Sequence, residues 1–129
     1  MILIPEELRP QLLANGHDTE TDHVPIVKLF DPCGAATWLI SAIEPDDPDI
    51  LFGLCDLGLG FPELGSVRLS ELESVRGRLG IGIERDLYFE GKYPLLVYAE
   101  AASVRDAITT SSTALAEAAE RLRCRGEHP

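Results

Sequence analysis

Apolar and polar positions recur along this chain with periods that change from segment to segment, and each period predicts an element. Near the start, Leu8, Leu12 and Leu13 share one helical face, with Pro5 at a first helical position and acids at Glu6 and Glu7. That pattern predicts a short helix stopped near Asn15-Gly16, its regularity limited by Pro10, which removes a backbone donor. Residues 24–30 read as a strand closed by the turn Asp31-Pro32-Cys33-Gly34. Residues 37–44 alternate as a second strand, with Trp38, Ile40 and Ala42 on one side, and residues 50–57 are nearly all apolar, as suits the central strand of a sheet. Trp38 and Phe52, on the two most apolar strands, are expected in the main core.

Between those strands lies Glu44-Pro45-Asp46-Asp47-Pro48-Asp49, where carboxylates and prolines exclude a ladder and predict an exposed loop. Residues 58–65 read as a glycine-punctuated loop and residues 66–69 as a short strand. Ser70-Glu71-Leu72-Glu73 then has the form of a capping box that opens a helix ending near Gly77. Residues 86–89 can supply one more strand. From about residue 95 the pattern turns helical, and Val104, Ile108, Ser111, Leu115, Ala118 and Leu122 form a heptad-like seam broken at Thr109-Thr110-Ser111-Ser112. The seam is expected to pack on the chain's own sheet; pairing with a second copy through this helix is the alternative. Together these elements predict one α+β domain over residues 1–129. It has a mainly antiparallel sheet of four to five strands, a capped central helix, and a C-terminal helical hairpin or long helix on one face.

Composition places the chain among ordinary soluble globular proteins, with 45% hydrophobic and 26% charged residues. The start carries no basic leader and no apolar run approaches 18 residues, so a cytoplasmic protein without a membrane partner is expected. Three cysteines, Cys33, Cys55 and Cys124, are odd in number and far apart, which suits reduced thiols rather than a disulfide framework or a zinc site. Charge is distributed less evenly. The first 65 residues hold twelve carboxylates against Arg9 and Lys28, and the remainder holds ten against nine basic side chains, so nearly all of the net charge of -11 sits in one half. Charge of that kind sets long-range potential and association more than it sets fold.

The segments Phe52-Gly53-Leu54, Pro62-Glu63-Leu64-Gly65, Leu69-Ser70-Glu71-Leu72-Glu73-Ser74-Val75-Arg76-Gly77 and Ile83-Glu84-Arg85-Asp86-Leu87 resemble family 2958 of the domains of unknown function. The opening Leu3-Ile4-Pro5-Glu6-Glu7-Leu8 and the strand with Trp38 are also similar to that family. The resemblance covers about residues 1–94 and implies a small bacterial protein of the kind carried by plasmids and other mobile elements. It implies no catalytic residues. In this chain the loop at 44–49 looks shorter than the family's, and the helical tail, about residues 95–124, looks like an extension.

Specific chemistry finds few footholds. Asp18-Thr19-Glu20-Thr21-Asp22 between His17 and His23 is not a calcium loop, because His23 stands where such a loop needs glycine and Leu29 where it needs glutamate. A transition-metal site on His17 and His23 competes with a solvated acidic loop, and with His128 the three histidines have no zinc-like spacing. Gly58 and Gly60, followed by Glu63, and Gly80 and Gly82, followed by Arg85, lack the third glycine of a dinucleotide cradle. Ser70 has no nucleophile elbow and reads as a cap. No metal or cofactor is expected.

Two readings of function remain. In the first, the protein is a non-enzymatic interaction protein whose acidic surface, formed by Asp18, Glu20, Asp22, Glu44, Asp46, Asp47 and Asp49, occupies a basic surface of a nucleic-acid-binding complex. It would bind no nucleic acid itself. Duplex DNA presents a negative charge about every 1.7 Å, so its binders keep basic channels that carboxylates can compete for. The mobile-element context implied by the resemblance favours inhibition of restriction or CRISPR machinery. In the second, Glu63, Glu73, Arg76, Glu84 and Arg85 converge as a ligand or catalytic site, with Asp86 beside them. A mimic needs acids exposed on one face; an enzyme needs them converging in a pocket.

Overall fold

Strands β2 (Thr37–Ile43) and β3 (Ile50–Asp56), the longest of five, pair inside an antiparallel sheet. The computed structural model describes residues 1–77 and 79–126. Strand β1 (Val27–Phe30) pairs with β2, β4 (Glu63–Arg68) with β3, and β5 (Glu84–Arg85) with β1, in the order β4-β3-β2-β1-β5. Helix α1 (Arg9–His17) follows a 3-10 turn, Glu6–Leu8. Helix α2 (Leu69–Ser74) follows β4, and α3 (Leu95–Arg105) and α4 (Ser112–Cys124) form the C-terminal hairpin.

Each face of the sheet closes its own core. One holds Leu12, Trp38, Ile40, Ile43, Leu51 and Leu72; the other holds Leu39 and Leu54 beneath Leu95, Tyr98, Ala101, Leu115 and Leu122 of the hairpin. A β-bulge between Ile40 and Ala42 separates two registers. Before it, Leu39 lies opposite Leu54, and after it Ala42 lies opposite Phe52, so Ser41 is the extra residue. Its carbonyl accepts the Asn15 Nδ2 donor at 2.9 Å, which ties α1 to the bulge.

Several sequence expectations change. The first helix ends at His17, close to the expected stop, but its α-helical turns begin only at Arg9, after the 3-10 turn, so Pro10 falls in its first turn, where a missing amide costs nothing. Strand β1 starts at Val27 rather than 24, after Pro25. Strand β4 starts at Glu63, inside the predicted glycine loop, and the strand expected at 86–89 is instead the two-residue β5. Trp38 is buried as expected, but Phe52 is 41% exposed, since its place opposite Ala42 and Ser66 puts it beyond the hairpin's cover.

The C-terminal seam is divided between two helices, with the weak centre as their link and Ser111 Oγ capping α4 through the Ala114 amide at 3.3 Å. Leu115, Ala118 and Leu122 bury within the chain's second core, whereas Val104 is exposed. Glu100 joins the two helices, accepting from Arg121 Nε at 2.9 Å and from Arg125, and these hydrogen bonds hold its carboxyl below the usual range. Asp56, 3% exposed at the end of β3, accepts from the Gly58 amide at 2.8 Å and the Ile108 amide at 3.0 Å, and so pins the hairpin link to the sheet.

Two substitutions test this packing. Leu115→Asp places a charge in the second core and is expected to destabilise the monomer by about 2 kcal/mol or more, read by denaturant unfolding. Asp56→Ala leaves two amides without an acceptor and is expected to cost about 1–3 kcal/mol. A loss below about 0.5 kcal/mol in either would place the residue outside the packing described.

Candidate functional site

The two acidic segments are organised by hydrogen bonds to their own carboxylates. Asp18 caps the end of α1 and accepts from the amides of Glu20 at 3.2 Å and Thr21 at 3.3 Å and from the Thr21 hydroxyl at 2.7 Å. The Thr21 hydroxyl in particular holds the Asp18 carboxyl below its ordinary value, despite some opposing desolvation. His23 Nε2 lies 2.7 Å from the Asp18 carbonyl oxygen, which can only accept, so that nitrogen is the donor. The loop then runs into α3: the Leu95 amide donates to the His23 carbonyl at 2.9 Å and the Leu96 amide to Asp22 Oδ1 at 3.2 Å. A carboxylate at a helix N-terminus also interacts favourably with the helix dipole.

The turn at 44–49 joins β2 to β3, as expected, but its acids differ in role. Glu44 and Asp46 are exposed, with Glu44 Oε1 accepting from the Asp46 amide at 3.2 Å. Asp47 and Asp49 are half-buried and pair with Arg68 at 3.2 and 3.6 Å. Asp49 also accepts from the Ser70 amide at 2.9 Å and the Ser70 hydroxyl at 2.7 Å, and its carbonyl takes the Leu69 amide at 2.7 Å. The capping box read at Ser70–Glu73 is therefore replaced: α2 begins at Leu69, Ser70 lies inside it, and the capping anion comes from the β2–β3 turn. The Ser70 hydroxyl, above all, lowers the Asp49 pKa.

These segments, more than twenty residues apart, meet at one end of the sheet. Asp18 and Asp22 from the loop and Glu44 from the turn line a single cavity of about 300 Å³. Its apolar wall includes Ala42, Phe52 and Leu95, and Ser66 lies on the same side, since the register sets Ala42, Phe52 and Ser66 across three strands. Glu20 is exposed on the loop outside it.

The residues of the alternative site are not brought together. Glu63 opens β4 and Glu84 and Arg85 form β5, at opposite edges of the sheet and so about 19 Å apart by four strand spacings. Glu73 is exposed on α2, and Arg76 donates to the Glu73 and Val75 carbonyls at 2.8 and 2.7 Å. Arg85 Nε reaches the Ile2 carbonyl at 3.5 Å, and Asp86 pairs with Lys28 at 3.6 Å.

Among the described residues no group of three His, Cys, Asp or Glu side chains is placed to hold a metal ion. His17 is exposed and His23 is held by the loop; His128 lies outside the described residues. The three cysteines are free, and burial pushes the Cys55 thiol up. No helix among the described residues is long and apolar enough to cross a membrane. Sequence reasoning did not assign Phe52, Ser66 or Leu95 to a site, because only the β3–β4 register and the loop's return to α3 bring them together.

A family model described as a protein of unknown function (DUF2958) matches residues 3–109, and the chain belongs to that family. The match takes in the whole sheet and α3 and leaves α4 outside. No curated protein and no solved structure matches the chain.

The unequal roles of the turn carboxylates are testable. Asp49→Asn is expected to lower the melting temperature by several degrees near neutral pH, about the scale of one lost helix cap in a domain of this size, while Asp46→Asn leaves it nearly unchanged. A lowered carboxyl pKa gives stability that is full above the ordinary aspartate range and is lost as pH falls through the lowered value. The gap between wild type and Asp49→Asn should accordingly close on acidification, and a gap constant with pH would contradict the assignment.

Proposed function

We propose that this protein is a small acidic, non-enzymatic interaction protein whose acidic end occupies the nucleic-acid-binding surface of a basic protein complex and so inhibits it. A restriction or CRISPR-type complex of the host cell is the target that fits a protein carried on a mobile element. The observation that carries this reading is the meeting of the 18–22 loop and the 44–49 turn at one end of the sheet. Among the described residues, no ion pair reaches Glu20, Glu44 or Asp46, so their charge is available to a partner. Exposed like charges held close raise a potential that draws a basic surface from a distance and gives it a strong salt dependence.

The carboxylates at Asp47 and Asp49 already serve the fold through Arg68 and Ser70, so they are poor probes of binding. The informative variant is Glu20→Lys/Glu44→Lys/Asp46→Lys. It should keep the melting temperature of wild type, since exposed charges contribute little to stability. It should lower capture of the partner from a host lysate by about tenfold or more, as wild-type capture itself weakens with added salt. The captured partner should lose affinity for DNA or RNA while occupied. Capture that survives the triple reversal and is indifferent to salt would refute the reading.

A further inference from the structure

We propose that the cavity between the 18–23 loop, the β2–β3–β4 face and the first turn of α3 receives one basic side chain, an arginine or lysine presented by the protein partner. The volume of about 300 Å³ lies at the low end of ligand sites, which suits a single side chain and excludes a dinucleotide. Its chemistry is divided as such a side chain is divided. Ala42, Phe52 and Leu95 offer an apolar wall to an aliphatic stem, and Asp18 and Glu44 offer negative charge from two sides to a cationic tip.

Phe52 strengthens the assignment. It lies on a strand where Leu51 and Leu54 are almost wholly buried, yet Phe52 is 41% exposed and lines the cavity. An open aromatic face beside carboxylates is a cation–π platform, and guanidinium uses it best because it is planar and weakly hydrated. An anion would meet the carboxylates of Asp18, Asp22 and Glu44, and a neutral apolar group would take water from them without replacing it. The described residues hold no cluster suited to a metal ion, which leaves an organic monocation. That the cation belongs to a protein rests on the function proposed above; the chemistry of the cavity does not.

The probe is N-acetyl-arginine-N-methylamide, one arginine side chain on a capped backbone, titrated at low salt while the amide NMR spectrum is followed. Saturable shifts confined to the cavity, around residues 41–44, 52, 66 and 95, are expected. The neutral citrulline counterpart should bind about tenfold more weakly or worse. Phe52→Ala should weaken binding by about fivefold, and so should Ser66→Leu, which narrows the cavity from an exposed position, both with an unchanged fold by NMR. Shifts that never saturate, that spread over the whole acidic surface, or that the citrulline compound reproduces would overturn the proposal. So would agmatine saturating the cavity while the capped arginine does not, because the occupant would then be a free amine. Failure of the lysate capture with saturable arginine binding intact would refute the inhibitor reading and the protein source of the cation but not the cavity's choice of cation, and the reverse result would refute this inference alone.

Discussion

Helix α1 lies so close to β2 that a Cβ on Gly16 would come within 1.9 Å of the Ile43 carbonyl oxygen, and the arrangement of the acidic end depends on that approach. No other residue fits there without moving one element. The same contact is fixed one residue earlier by Asn15 on the Ser41 carbonyl, at the point where β2 bulges. Because the helix ends against the last residues of β2, the loop that leaves it must start beside the turn that leaves β2. Two acidic segments with no sequence proximity therefore become neighbours through backbone packing. Their charges oppose that arrangement, and the apolar burial of Leu12, Ile40 and Ile43 beneath them is what offsets the repulsion.

The carboxylates of this end fall into two groups by what their oxygens touch. Asp18, Asp22 and Asp49 accept from backbone amides, and Asp56 does the same at the far end of β3, so each replaces water with fixed donors. Glu20, Glu44 and Asp46 carry charge that the described fold does not neutralise. Of these three, Glu44 lines the cavity with the aromatic wall, and Glu20 and Asp46 lie outside it.

Much of the fold was legible in the sequence because the strongest signals were long and apolar. Strands β2 and β3, a turn at 44–49, a helix near Ser70 and a helical C-terminal segment, read as hairpin or long helix, follow from local pattern and composition. The failures have specific physical causes. Phe52 left the expected core because it lies past the hairpin's cover, against Ala42 and Ser66; the bulge at Ser41 turned Ala42 to that side, away from Trp38 and Ile40, and alternation cannot count an extra residue. The capping box at Ser70 was displaced because Asp49, twenty-one residues earlier, supplies a charged acceptor in place of a hydroxyl. Glu63 and Glu84 seemed able to converge only until the strand order put them at opposite edges. Of the candidate site, the acids could be read from charge; the wall of Phe52, Ser66 and Leu95 could not, since it exists only in the folded register.

The family match ends at residue 109, and the structure gives that boundary a physical meaning. The matched stretch contains the Asp56–Ile108 contact, so it includes the pin that holds the hairpin link to the sheet. It also contains α3, whose Tyr98, Ala101 and Ala102 are buried, yet part of their cover is Leu115, Ala118 and Leu122 of α4. The matched segment by itself would leave that apolar face partly open to water, a cost set by the area exposed. Something outside the matched segment must cover that face. Here α4 does so, and Glu100 with Arg121 fixes the angle at which it lies. The acidic end is untouched by that closure, because α3 enters it only through its first turn, at Leu95 and Leu96.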